Sequence, residues 1–110
     1  MAIGLKKLFG ANLKSFRKER GLTQASLAQS IDKSIDLISQ IERGTSSPSF
    51  ETIEDLSGAL NINAQDLFNG SGLLEGTNAN KYAKLQGQLA KLSGEDLQWV
   101  NRILQAVLSK

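Results

Sequence analysis

The 110-residue chain contains no cysteine and no histidine. The first absence excludes disulfides and thiolate metal sites. The second removes the commonest general base and the commonest zinc ligand. No run approaches the roughly 18 consecutive apolar residues that a membrane span needs, so no membrane partner is expected. The N-terminal stretch MAIGLKKLFGANLKSF has neither a long apolar region nor a small-residue cleavage site, which argues against secretion and for a cytoplasmic protein. No nucleophile–base pair or metal-ligand cluster is visible. Gly70, Gly72 and Gly76 precede no helix start of the phosphate-cradling kind. Neither an enzyme nor a cofactor is expected.

What is present is ordinary in amount and uneven in placement. About 40% of the residues are apolar and 22% are charged, as in soluble globular proteins, and the length suffices for one core. Residues 1–50 carry eight Lys/Arg against four acids, a charge of +4. Residues 51–76 carry five acids and no base, and residues 77–110 carry +3. A basic N-terminal half suits a face presented to phosphates, although solvated surface charge has the same pattern.

Hydrophobic spacing predicts helices throughout and no strand. From Leu8 onward Phe9, Leu13 and Phe16 recur at helical spacing, and Gly21 is the stop, with Arg17, Lys18 and Arg20 in the last turn. Thr23 caps a second helix carrying Leu27, Ala28 and Ile31, which Asp32-Lys33-Ser34 breaks. Ser34 caps a third, with Leu37, Ile38 and Ile41 facing inward and Gly44 suited to the left-handed position after it. Beyond the only proline, Pro48, Ser49 caps a fourth helix with Phe50, Ile53, Leu56 and Leu60. Asn63 opens a short fifth bearing Leu67 and Phe68. The expected fold is all-α, a compact five-helix domain over residues 1–69. Its second and third helices form the helix–turn–helix that places a recognition helix in a DNA groove.

Residues 70–80 are rich in Gly, Ser and Asn and read as a linker. Residues 81–110 read as two amphipathic helices. Tyr82, Leu85, Leu89 and Leu92 make a short heptad-like seam. Ser93 and Asp96 form a capping-box-like start. Leu97, Val100, Ile103, Leu104, Val107 and Leu108 then share one face, with Trp99 beside it. Helices of this length cannot bury such stripes alone. Two surfaces can cover them, their own domain or a second copy of the chain, and dimerisation is the expectation.

Residues 8–69 resemble the helix-turn-helix domain of the Cro/phage-repressor-like (XRE) transcription regulators. The residues that carry the resemblance are Arg17, Gly21-Leu22-Thr23-Gln24, Leu27-Ala28, Ile38-Ser39, Ile41-Glu42-Arg43-Gly44, Pro48, Leu60 and Leu67-Phe68, in order and at the family's spacing. The resemblance implies a repressor-like DNA-binding domain acting on double-stranded DNA, as a homodimer on an inverted repeat. It implies that Glu42, near apolar positions and costly to bury alone, pairs with Arg17. It also implies that Gln24 and its helix N-terminus meet a phosphate, and that Ser34, Ile35, Asp36, Ser39 and Gln40 face the groove. Gln40 suits adenine, Asp36 cytosine N4, and Ile35 a thymine methyl. Further phosphate contacts are expected from Lys33, Arg43, Thr45, Ser46 and Ser47, with Lys6, Lys7 and Lys14 as additional candidates.

The sequence departs from the family in the turn, where the usual glycine is Asp32 and the usual buried valine is Lys33. The groove face holds no Arg or Lys, which removes the commonest specific contact, Arg to guanine. An alternative function therefore stands beside the first: a protein-binding module, such as an antitoxin, with a protein partner at the C-terminal helices.

Overall fold

The computed structural model describes residues 4–69 and 92–108, and every element among them is helical. The chain forms α1 (Leu5–Glu19), α2 (Gln24–Ser30), α3 (Ile35–Arg43) and α4 (Phe50–Leu60), then a 3₁₀ turn, Ala64–Phe68, and α5 (Gly94–Leu108). The 3₁₀ turn stands where a short fifth helix was expected. The expected linker 70–80 and Tyr82, Leu85 and Leu89 lie outside the described residues, as do the side chains of Leu104, Val107 and Leu108.

Polar side chains start the helices as the sequence suggests. Thr23 and Ser26 close a reciprocal capping box at α2: Ser26 N–H donates to Thr23 Oγ1 at 3.0 Å, and Thr23 N–H to Ser26 Oγ at 2.9 Å. Ser34 Oγ accepts from Leu37 N–H, and Ser49 Oγ from Thr52 N–H. Each satisfies one of the donors that a helix start leaves free.

Four helix ends share one solution. After α1 to α4 the chain turns through a left-handed residue, Gly21, Asp32, Gly44 and Asn61 in order. In each case the following N–H reaches back five residues: Leu22 to Arg17, Lys33 to Ala28, Thr45 to Gln40, and Ile62 to Ser57. These are paired end-of-helix bonds of the Schellman kind, which satisfy otherwise orphaned carbonyls.

The core joins Phe9 and Leu13 of α1, Leu27 of α2, Ile38 and Ile41 of α3, Ile53, Leu56 and Leu60 of α4, and Leu67. Asn12 fastens α1 to the 3₁₀ turn, its amide donating to the carbonyls of Leu67 and Asn69 at 2.9 and 3.0 Å. Phe9, Phe68 and Trp99 form an aromatic trio with centroids 5.1–5.7 Å apart, the tilted and edge-on geometry that aromatic quadrupoles favour.

The last helix differs from expectation in its phase. Trp99, expected beside the apolar face, is the inward residue at 1% exposure, while Leu97 is 41% exposed. Val100 is buried, and Leu92 and Ile103 pack against the same core. These three therefore contact the chain's own domain, Leu92 and Ile103 being only partly buried there. The reason is Trp99, whose ring completes the aromatic trio and rotates that face of α5 onto its own domain. Asp96 departs too. Ser93 Oγ accepts from its N–H as in a capping box, but its carboxylate is buried and Oδ2 accepts from Leu5 N–H at 3.0 Å. The start of α1 is thus capped by a side chain 91 positions away. This explains why α1 begins at Leu5, one turn before its apolar periodicity.

α1 and α3 cross at very short range. A Cβ added to Gly10 would lie 2.2 Å from the Ile41 carbonyl oxygen and 2.7 Å from that of Glu42. Both are backbone atoms, so the helices themselves must separate to admit a methyl group. Gly10→Ala is expected to cost about 3 kcal/mol, the upper part of the range for overpacking. The check is a urea unfolding midpoint at unchanged slope. A loss below about 0.5 kcal/mol would show that the crossing yields.

Candidate nucleic-acid interface

The two helices of the motif are held by one buried carboxylate. Glu42 ends the inward side of α3 with its side chain 3% exposed, and that of Arg17 is 9% exposed. Arg17 Nε donates to Glu42 Oε2 at 2.6 Å and Nη2 to Oε1 at 3.1 Å. This is the two-pronged geometry that planar guanidinium and carboxylate groups favour. Arg17 Nη1 donates to the Leu22 carbonyl at 2.7 Å, and Gln24 Nε2 donates to Glu42 Oε1 at 3.0 Å. Among the described residues no buried side-chain nitrogen or oxygen lacks a partner, so the cost of burying the pair is offset by completed bonds. The hydrogen bonds with Glu42 raise the Arg17 pKa, burial lowers it, and the attraction of the carboxylate raises it further, the net being upward. A raised cation keeps its contribution until pH climbs through its folded pKa, so Arg17 adds no pH dependence short of strongly alkaline solution.

Helix α3 has two distinct sides. Ile38 and Ile41 are fully buried. Ser34, Ile35, Asp36 and Gln40 are exposed on the other side, and Ser39 is partly so. Ile35 is 51% exposed, and with Leu97 it is one of two large apolar side chains left outward among the described residues. Ser34 and Asp36 lie at the start of the helix, where its dipole favours a carboxylate.

The expected phosphate contacts are placed unequally. Lys33 and Arg43 are exposed, and Ser46 and Ser47 are partly exposed. Arg43 Nε donates within the helix to the Ser39 carbonyl at 3.3 Å. Gln24 spends one amide hydrogen on Glu42 and retains the second. Thr45 differs from expectation, because its hydroxyl and its N–H both donate to the Gln40 carbonyl, at 3.1 and 2.9 Å. It closes the helix and offers no donor outward. Lys6 is drawn away into an ion pair with Glu95. Lys7 stays exposed and lies against Gly44, where an added Cβ would meet the Lys7 Cα at 2.8 Å.

Asp32, in the turn between the helices, adopts φ 58°. The left-handed region is costly for a residue with a Cβ, less so for Asp than for most, and costs glycine nothing sterically. Asp32→Gly is expected to stabilise the fold by about 0.5 kcal/mol, net of the extra chain entropy glycine loses. Glu42→Ala is expected to cost about 3–5 kcal/mol by stranding the buried Arg17 cation. Thermal and urea unfolding check both. The double variant with Arg17→Ala should cost much less than the two singles together.

Comparison with known proteins agrees with this geometry. The family model HTH_3, described as helix-turn-helix, matches residues 13–67, from the middle of α1 through the 3₁₀ turn. The chain is similar to the HTH-type transcriptional regulator YazB of Bacillus subtilis, 36% identical over 61 residues that span 56% of this chain and 88% of YazB. It is 34% identical over 82 residues to the immunity repressor protein of Bacillus phage phi105, spanning 74% of this chain and 57% of that one. Its fold is similar to the restriction-modification controller protein C.AhdI of Aeromonas hydrophila, with a TM-score of 0.56 and 32% identity over 57% of this chain and 96% of C.AhdI. The chain belongs to the HTH_3 family of helix-turn-helix proteins, of the XRE, Cro/C1 type, and is a DNA-binding transcriptional regulator.

Proposed function

We propose that the chain is a sequence-specific repressor that binds an inverted-repeat operator as a homodimer, reading bases through α3. The exposed side of α3 carries this reading. Ile38 and Ile41 anchor the helix, while Ile35, Asp36 and Gln40 stand outward in a run that the chain's own core leaves uncovered. An isoleucine held half in water beside polar side chains suits contact with a thymine methyl, and Gln40 beside it suits adenine. Ser34 and Ser39 complete the reading set. Phosphates fall to the second amide hydrogen of Gln24 and to Lys33, Arg43, Ser46 and Ser47. The absence of Arg and Lys from the face tilts base preference towards A·T.

In this reading residues 1–69 bind DNA, residues 70–80 connect, and residues 81–110 bring two copies together in the cytoplasm. No helix among the described residues is long and apolar enough to cross a membrane. Two-fold symmetry places the two α3 helices about 34 Å apart, in successive major grooves. Leu97 supports the dimer, since it is exposed on α5 while Trp99 and Val100 point inward. The same Leu97, with the lack of cations on the reading face, supports a second reading: a partner protein docks on the C-terminal helices and autonomous base reading is weak.

Selection of bound sites from random DNA, with the solution mass measured alongside, separates the two. A palindromic consensus, a dimeric mass and an affinity that falls steeply with salt are expected. No retention even at low salt would overturn the proposal in favour of the partner-binding reading. Gln40→Ala should lose about 1–3 kcal/mol of discrimination at one position of each half-site. Lys33→Ala should weaken all sequences alike and reduce the salt slope by about one.

A further inference from the structure

The first two turns of α5 make three polar contacts with the rest of the domain, and they flank the exit of the reading helix. Glu95 pairs with Lys6. Asp96 Oδ2 accepts from Leu5 N–H at 3.0 Å. The Trp99 indole N–H donates to the Pro48 carbonyl at 2.7 Å. The first two hold the start of α1, whose Lys7 backbone lies directly against Gly44, the left-handed residue that ends α3. The third holds the loop that leaves Gly44 and carries Ser46 and Ser47. Thus the chain on both sides of the end of α3 is tied to one distant helix.

We propose that Asp96 and Trp99 are positioning residues for DNA binding: α5 sets where Lys7, Ser46 and Ser47 stand relative to α3, and phosphate engagement depends on it. The inference rests on the DNA-binding reading above and adds to it a role for a helix outside the matched residues 13–67.

Pro48 is buried, but the loop is not packed on every side. A cavity of about 430 Å³ opens beside it, lined by Ser47, Pro48, Phe50, Trp99, Arg102 and Ile103. With space on that side, the indole N–H adds a directional restraint on the Pro48 carbonyl. Likewise Gly4, the residue that precedes α1, has no side chain to cap it, so Asp96 supplies the acceptor. A misplacement of a donor by about 1 Å is enough to take a hydrogen bond to phosphate outside its working range.

Trp99→Phe keeps an aromatic ring against Phe9 and Phe68 while removing the donor together with part of the buried ring. Asp96→Ala removes the cap, and Asp96→Asn keeps an acceptor oxygen. The full chain is tested against a duplex recovered by selection, well below the melting temperature of every variant. Affinity should fall about three- to tenfold for Trp99→Phe and Asp96→Ala, with a salt slope shallower by about 0.9 for each phosphate no longer engaged. Asp96→Asn should restore most of it. Amide exchange should quicken at Ser46 and Ser47 in Trp99→Phe while α2 and α3 remain protected. Lower melting temperatures with parental affinity and salt slope would reduce both residues to ordinary stabilisers and overturn the proposal. Loss of folding by Asp96→Ala leaves Trp99→Phe, through its affinity, salt slope and amide exchange, to decide it. If the parent binds and the variants bind equally, this inference falls and the DNA reading stands. If the parent itself is not retained on DNA, both fall.

Discussion

A carboxylate at the inward end of a recognition helix creates a demand that the rest of the domain is arranged to meet. Glu42 is closed off from water, and a carboxylate buried without a cation is far costlier than a neutral side chain. Arg17 answers from α1 with two bonds, and the same guanidinium reaches the Leu22 carbonyl just before α2. Gln24 answers from the first turn of α2. Three helices therefore converge on one side chain, and their relative placement is set by its two oxygens. Replacing such a pair by apolar residues is often neutral or stabilising. Its value here lies in register, because hydrophobic contacts alone tolerate sliding and a forked ion pair does not.

The other fixed points are of the same local kind. Left-handed residues end α1 to α4, so each helix has a defined last turn and the short connections leave little choice of direction. At Gly10 the absence of a side chain lets α1 press onto the α3 carbonyls of Ile41 and Glu42. The ion pair and the close crossing meet at the same end of α3 and reinforce each other. The first requires Arg17 within reach of Glu42, and the second sets how near α1 lies.

Much of this is legible in the sequence, for a physical reason. Thr23, Ser34 and Ser49 cap through neighbours three residues away, and Gly21 and Gly44 act through their own backbone, so short windows contain the whole interaction. The inward sets of α2, α3 and α4 follow from helical spacing for the same reason. Arg17–Glu42 comes through the resemblance rather than the spacing. What escapes depends on partners far along the chain. The Asp96 cap of Leu5 and the Trp99 bond to Pro48 span 91 and 51 positions, and no local pattern marks either. α5 shows the consequence: its leucines and valines define a broad apolar side, but the bulk of Trp99 decides which edge of it turns inward. Gly10 leaves a faint signal, a glycine inside a helical pattern, which is costly unless close packing compensates. Thr45 and Gln24 give no inward signal, because a polar side chain in a first turn or loop looks the same whether it bonds inward or out.

In the proposed reading, the chemistry of the outward face of α3 gives these long-range ties their weight. A recognition helix rich in arginine tolerates small errors of placement, because a long cation adjusts and two bonds to guanine repay the adjustment. Here the outward side offers an isoleucine, a carboxylate and uncharged polar groups, and in the proposed reading Asp36 would be repelled by phosphates. Contacts of that kind are short in reach and strict in distance, so the helix must already stand where the groove needs it. In that reading the remaining attraction would come from groups around its ends, and those sit on loops and helix starts, the parts of a domain with most freedom. Rigidity has to be imported to them. Gly10, the forked pair at Glu42 and the contacts from α5 supply it from three directions, and the domain compensates for a weakly charged reading surface by holding it still.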